Sequence, residues 1–310
     1  MMINCNSNYY TCSVLMSTYN GESYIRQQID SILAQRDVNI KLFIRDDGSS
    51  DETRHILAQY SSEYPGTVHV FLEENIGIHE SFSRLINLPN LEGYVAFSDQ
   101  DDVWDCDKLI TAINCINQER VVLYFSSSRL VDSDLNSLNK TTESMNKYIH
   151  YQKGNNRILT PGVQGCTMVM TNDFFRSVVT RGYPTYYGHD TWIPIVAFYT
   201  SNVYYDPTPH MSYRQHNNSW TGNRKDRFSQ LRKEFRFFIA GMRRYSTLAT
   251  DLLRAYPECQ CETNNSVLAV LAKPHKSFSD RIRLILCKDL NKYGIVQNIL
   301  FKWEILIGKV

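Results

Sequence analysis

A chain of 310 residues with 43% hydrophobic and 21% charged residues is long enough for one large domain or two modest ones and has a globular composition. No stretch approaches the roughly 18 to 20 continuous apolar residues of a membrane span, and the start, Met1 to Val14, lacks the basic and apolar regions of a secretion signal. The net charge of +1 hides a division: residues 1–220 carry 16 Lys+Arg against 24 Asp+Glu, and residues 221–310 carry 17 against 8, which opposes a nucleic-acid partner and predicts an acidic body followed by a basic tail.

The first 125 residues alternate two periodicities. Cys12 to Ser17 reads as a buried strand, and Glu22 to Ala34 carries Tyr24, Ile25, Ile29, Ile32 and Leu33 on a helical face. Strand at 41–44, helix at 51–60 with Asp51 near its start, strand at 68–72 and helix at 79–86 follow. Strand at 94–97, helix at 108–116 and strand at 121–125 complete the series. This alternation predicts a doubly wound, mostly parallel α/β sheet, whose ligands bind beyond the carboxyl ends of the strands. Polar segments stand at four such ends: Ser17-Thr18-Tyr19-Asn20, Asp46-Asp47-Gly48-Ser49-Ser50, Asn75-Ile76-Gly77 and Asp99-Gln100-Asp101-Asp102. There is no G-x-G-x-x-G and no G-x-x-x-x-G-K-[ST], so neither a dinucleotide fold nor a P-loop is expected.

Residues 130–220 are less regular, with short apolar runs at 166–170 and 202–205. From Arg227 to Leu253 apolar residues follow helical spacing with Arg and Lys between them, and a second apolar-basic stretch runs from Phe278 to Ile307. The eight cysteines show no C-x-x-C pair, so reduced, mostly buried thiols are expected.

Three carboxylates within four residues, Asp99, Asp101 and Asp102, repel one another at the end of an apolar run. A solvated loop with a helix cap would satisfy them, and so would Mg²⁺ or Mn²⁺ carrying a phosphate. A calcium loop of the EF-hand kind is excluded, because Val103 occupies its fifth position and the required glycine is missing. The Asp-Asp-Gly-Ser-Ser-Asp segment suits a turn and a helix cap, yet Asp46 would share an edge with Asp99. Gly188-His189-Asp190-Thr191-Trp192 and Tyr213-Arg214-Gln215-His216 complete the polar signals.

Taken in order, S-T-Y-N-G-E, D-D-G-S-S-D, N-x-G, S-D-Q-D-D-V-W, H-D-x-W and R-Q-H-x-x-S resemble the family 2 glycosyltransferases of the GT-A fold over roughly residues 12–220. Within that family the set looks most like bacterial rhamnosyltransferases of rhamnan and O-antigen assembly. The resemblance implies that Ser17, Thr18, Tyr19 and Glu22 hold a nucleotide base, that Asp46 reads its imide N–H, and that Asn75 lies near ribose and diphosphate. Asp99 and Asp101 match the donor motif, Asp102 and His216 match metal ligands for Mg²⁺ or Mn²⁺, and Asp190 matches the general base. Gln164, Gly165, Cys166 and Trp192 fall where the acceptor is expected, with Cys166 at a position often held by a smaller residue.

The expected reaction is inverting transfer of a sugar, L-rhamnose from dTDP-L-rhamnose, onto an undecaprenyl-diphosphate-linked glycan. A UDP-glucose or UDP-galactose enzyme is the alternative, and a non-catalytic sugar-nucleotide-binding protein the remoter one. The implied organisation is a catalytic domain over 1–220, with a nucleotide half at about 10–125 and an acceptor half at about 126–220, then a basic helical region over 221–310. The amphipathic, basic tail fits either packing on the body or lying on an anionic membrane. Family analogy favours a cytoplasmic enzyme, peripheral on the inner face of the cell membrane.

Overall fold

The computed structural model describes residues 10–142, 163–216, 244–260, 266–287, 290 and 295–308. The chain divides into two compact units, the first comprising 1–147, 163–197 and 201–215, and the second 148–162, 198–200 and 216–310.

The first unit is built on strands β1 (Tyr10–Thr18), β2 (Val38–Asp47), β3 (Val68–Glu73), β4 (Tyr94–Ser98), β6 (Leu123–Ser126), β9 (Val169–Thr171) and β10 (Val203–Asp206). They form one sheet in the order β10-β6-β9-β4-β1-β2-β3. Helices α1 (Ile25–Leu33), α2 (Thr53–Glu63), α3 (Ile78–Ile86) and α4 (Lys108–Glu119) connect the strands of the first half. β1 pairs in parallel with both β2 and β4, and β2 with β3. Only β9 runs against its neighbours, pairing antiparallel with β4 and β6. The central strand is buried on both faces, with Val14, Leu15 and Met16 at 0% exposure, as a parallel strand covered by helices must be. Each such side chain contributes about 1.5–3 kcal/mol by leaving water. α1 lays Ile25, Ile29 and Ile32 into this core.

A second, four-stranded sheet joins β5 (Val103–Trp104), β11 (Met211–Arg214), β7 (Arg129–Val131) and β8 (Ser137–Thr141) in that order. Antiparallel pairing of β11 with β5 brings the far end of this unit's sequence beside the acidic turn after β4. A 3₁₀ turn at Gly165–Thr167, α5 (Asn172–Thr180) and α6 (His189–Thr200) complete the set, the last helix crossing from the first unit into the second.

The second unit contains α7 (Arg244–Ala255), a 3₁₀ turn at Pro257–Gln260, α8 (Ser266–Ala272), α9 (Phe278–Leu286) and α10 (Ile295–Leu306). Of the helix expected over Arg227 to Leu253, the part before residue 244 lies outside the described residues. The stretch expected to run from 278 to 307 is two helices. No helix among the described residues is long and apolar enough to cross a membrane. The described cysteines are all free thiols, with Cys12, Cys166 and Cys259 buried and Cys106 exposed.

Candidate active site

Strand register alone gathers the polar loops. Thr18 stands opposite Asp46, Asp46 opposite Leu72, Asp47 opposite Glu73 and Met16 opposite Ser98. The loops following β1, β2, β3 and β4 therefore leave one sheet edge together, where an open parallel sheet holds its ligands.

The first two loops interlock. Asp46 is fully buried, and both its carboxylate oxygens accept bonds from within the protein. Thr18 Oγ1 donates at 3.2 Å, the Ser49 hydroxyl donates to the same oxygen, and the other oxygen accepts from Ser49 N at 3.0 Å and Arg54 Nε at 2.8 Å. The acid expected to read a base thus faces its own loop, and its direct effect is to fix Thr18, Ser49 and Arg54. Glu22 is also engaged locally: its carboxylate accepts from Glu52 N at 2.9 Å, and its own N–H donates to Asp51 Oδ2 at 3.1 Å. Asn20 N donates to Ser49 Oγ at 2.9 Å and Asn20 Oδ1 accepts from Ser50 N at 2.9 Å. Ser17 Oγ lies 2.6 Å from Ser81 Oγ of α3. The Tyr19 ring remains half exposed, while its backbone N–H and C=O are held by the Gln100 side-chain amide at 2.8 and 3.1 Å.

Asp47 sets the third loop. It pairs with Arg45 and accepts from Ile76 N and Gly77 N, each at 2.9 Å. Gly48 has a φ of +81°, and a Cβ there would lie 2.8 Å from Asn75 N. Only glycine allows that close crossing without strain. Asn75 itself is exposed.

The acidic turn after β4 is anchored from β11. Arg214, 2% exposed, donates from Nε to the Asp101 carbonyl at 2.7 Å, from Nη2 to Gln27 Oε1 at 2.7 Å and from Nη1 to the Ser133 carbonyl. Its backbone N–H donates to Asp102 Oδ1 at 3.2 Å, and its guanidinium covers the Tyr24 ring at 4.4 Å. The other oxygen of Asp102 is buried and has no hydrogen-bond partner among the described residues. Asp102 converges with Asp99 and the Cys166 sulfur, one ligand atom of each lying within 4.8 Å of the others.

This convergence is costly for charge. Burial first, then the charges of Asp101 and Asp190, push the Asp99 carboxyl up to about 7. Burial, with Asp101 and Asp99 beside it, holds Asp102 well above the usual carboxylate range. Burial also lowers Lys108 to about 8; its ammonium sits 3.7 Å from the Trp104 ring centroid and is drawn upward by the charges of Cys166, Cys12 and Asp102. An unpartnered buried carboxylate oxygen, facing a second carboxylate and a thiol, fits a divalent cation, whose charge would relieve the repulsion.

The His-Asp pair divides between two environments. His189 is buried, its ring 4.2 Å from that of Phe82 and 4.3 Å from that of Phe97. Burial lowers it to about 4, so it is a neutral packing group. Asp190, one residue on, is exposed in the first turn of α6, and its charge reaches Asp99. A Cβ at Gly188 would lie 2.4 Å from Asp190 Oδ1 and 3.3 Å from His79 Cε1, which places the imidazole of His79 beside the carboxylate.

The four residues expected at the acceptor are placed as follows. Trp192 is fully buried and stacks on Tyr187 at 5.5 Å, so it belongs to the core. Gly165 is buried, and a Cβ there would overlap the His189 imidazole. Cys166 is buried against Asp99 and Asp102. Gln164 is half-buried and accepts from Ser128 Oγ at 2.8 Å. His216 falls in the second unit, two residues beyond Arg214. Sequence reasoning missed Asp47, Arg54, His79, Gln100, Lys108 and Arg214. Of these, Asp47, Gln100 and Arg214 stood inside quoted motifs and could have been found there.

The sequence model of "Glycosyl transferase family 2" matches residues 13–178. The dTDP-rhamnosyl transferase RfbG of Shigella flexneri is 32% identical over 228 residues, covering 67% of this chain and 73% of that protein. The putative teichuronic acid biosynthesis glycosyltransferase TuaG of Bacillus subtilis is 32% identical over 159 residues, covering 51% of this chain and 60% of that one. Among solved structures, Staphylococcus aureus TarS 1-349 in complex with UDP superposes with a TM-score of 0.55 at 15% identity, covering 97% of this chain and 81% of that chain. The mannosyltransferase PcManGT of Pyrobaculum calidifontis, in complex with GDP-Man and Mn²⁺, gives 0.54 at 15%, covering 98% and 87%. The fold expected from the motifs, GT-A, is the fold found, and the chain belongs to glycosyl transferase family 2.

Proposed function

We propose that this glycosyltransferase moves L-rhamnose from dTDP-L-rhamnose to a lipid-linked glycan, with inversion at the anomeric carbon, at the inner face of the cell membrane. The observation that carries the transfer chemistry is that Asp190, exposed on the first turn of α6, adds its charge to the effects of burial and Asp101 in raising the Asp99 carboxyl of the turn after β4. The rhamnosyl donor rests on the likeness to RfbG.

Asp102 would hold Mg²⁺ or Mn²⁺, with Asp99 beside it, and His216 is the second ligand that the family motif implies. Bound there, the cation supplies neutralisation of the negative charge that builds on the departing diphosphate. The remaining roles belong to the chain. The interlocked loops that carry Ser17, Thr18, Tyr19 and Glu22 shape the base pocket, with Asp46 holding them from beneath. Asn75, exposed beside Gly48, lines the ribose and diphosphate path, and Asp101 contributes from the acidic turn. Asp190 takes the proton of the acceptor hydroxyl as it attacks, since a hydroxyl is a poor nucleophile near neutral pH. A single displacement needs one such base. The reading places this machinery in a catalytic domain over 1–220, followed by a basic region over 221–310.

The test is donor turnover. Purified protein is incubated separately with dTDP-L-rhamnose, UDP-glucose and UDP-galactose, with Mn²⁺ or Mg²⁺ or with EDTA, and a lipid-linked glycan fraction as acceptor. Release of dTDP that EDTA abolishes is the expected result. Release of UDP alone would overturn the sugar while retaining the chemistry.

A further inference from the structure

In the second unit α9 and α10 form an antiparallel pair. Arg281, early in α9, donates from Nη1 to the Leu306 carbonyl at the end of α10, at 2.8 Å. α9 begins with a capping box, Ser277 and Asp280 each accepting from the other's backbone N–H, and Lys273 pairs with Asp280 at 2.8 Å. Each helix buries one side: Leu284 on α9, and Phe301 and Ile305 on α10, are 1% exposed. The Phe301 ring meets that of Tyr245 on α7 edge-on, with centroids 5.2 Å apart.

The opposite sides are apolar as well. Phe278, Ile282 and Leu286 are 72%, 36% and 74% exposed, and Ile299, Trp303 and Ile307 are 62%, 52% and 40% exposed. Both rows follow i, i+4, i+8 spacing, which puts each on one stripe away from the buried positions, with Ile307 one residue beyond the end of α10. Isolated exposed apolar residues are ordinary, but a row of three on each of two contacting helices is apolar surface that water penalises. With Lys273 paired to Asp280, Arg283 on the exposed surface of α9 and Lys276 before it still give the surroundings positive charge, in a tail with 17 Lys+Arg against 8 Asp+Glu.

We infer that the outer face of the α9–α10 pair is a membrane-docking surface, whose occupant is the interfacial layer of an anionic bilayer. The inference rests on the proposed lipid-linked acceptor for its purpose, and on the two rows for its geometry. Three observations select lipid. The basic setting attracts anionic headgroups and repels a second copy of itself. The rows hold Trp303 and Phe278, ring-bearing side chains suited to the boundary between headgroup and acyl chain. Neither helix is long enough to span, so the pair would lie in the plane of the interface.

The test uses the full chain and flotation with vesicles of phosphatidylcholine, with and without phosphatidylglycerol. The expected result is binding to the anionic vesicles, weakened by salt, and reduced roughly tenfold or more in a Phe278→Ser/Leu286→Ser/Trp303→Ser variant. These three side chains are exposed, so the variant should retain the parent's melting temperature and its lipid-free donor turnover. A brominated acyl chain should quench part of the parent's tryptophan fluorescence, a part missing in Trp303→Phe. Equal vesicle binding by parent and triple variant, or none by the parent, would overturn the inference. So would a lipid-free dimer that the triple variant splits, which would assign the patch to a second copy. Donor turnover without vesicle binding removes this surface and leaves the transferase reading intact. Vesicle binding without turnover of any donor does the reverse.

Discussion

Adjacent residues can have opposite fates, and the histidine and aspartate at 189 and 190 show how. The sequence offers them as a pair, but the helix start turns His189 between two phenylalanine rings and leaves Asp190 outward. Nothing in the local sequence says which way each will point. The same limit hides Cys166 and Trp192, whose burial depends on strands and rings remote in sequence, whereas the acids at 99, 101 and 102 were legible because like charges so close need a partner. Asp99 carries a prediction about pH. Its ordinary value is 3.8 and its folded value about 7, so within that window the folded chain keeps a proton that the unfolded chain has lost. Stability therefore falls as pH rises across it. Without metal, Asp99→Asn should exceed the parent in melting temperature by a margin that widens from about pH 5 to about pH 8. Added Mn²⁺ should raise the melting temperature of the parent more than that of the variant. A margin independent of pH would show that Asp99 does not titrate there. Gly165→Ala is predicted to cost about 1–3 kcal/mol in chemical denaturation, because a Cβ would overlap the His189 imidazole.

Among the elements, the long alternating strands and helices of the first 125 residues were readable because each repeats its period several times. β5, β7, β8 and β11 were not, being two to five residues long. Yet β11 carries Arg214, which ties the turn after β4 to α1 and to the loop before β8. A motif read as a metal-ligand signature for His216 thus contains a structural bolt two residues earlier. Arg214→Met should leave the Asp101 and Ser133 carbonyls unpaired beneath the surface and cost about 2–5 kcal/mol. Urea denaturation measures it. Donor affinity should fall with stability, since the same side chain positions the acidic turn; a variant as stable as the parent would refute the anchoring role.

At the level of the whole molecule, the charge division separates an acidic stretch, residues 1–220, from a basic one, residues 221–310. The acidic part holds a family 2 glycosyltransferase fold whose carboxylates meet at one sheet edge. The basic part is helical where described. Composition could not foretell that the stretch from 278 to 307 breaks into a pair with an apolar outer face, because helical periodicity alone does not distinguish a row that packs from one that stays exposed. The strand-edge acids and Asp190 are proposed to form one transfer centre. The direct measurement compares parent and Asp190→Asn, by titration calorimetry with dTDP-L-rhamnose and Mn²⁺ and by transfer rate to the lipid-linked acceptor. For Asp190→Asn, donor affinity within a few fold of the parent and transfer slower by about 10²–10⁴-fold are expected. Transfer at the parental rate would contradict that proposal.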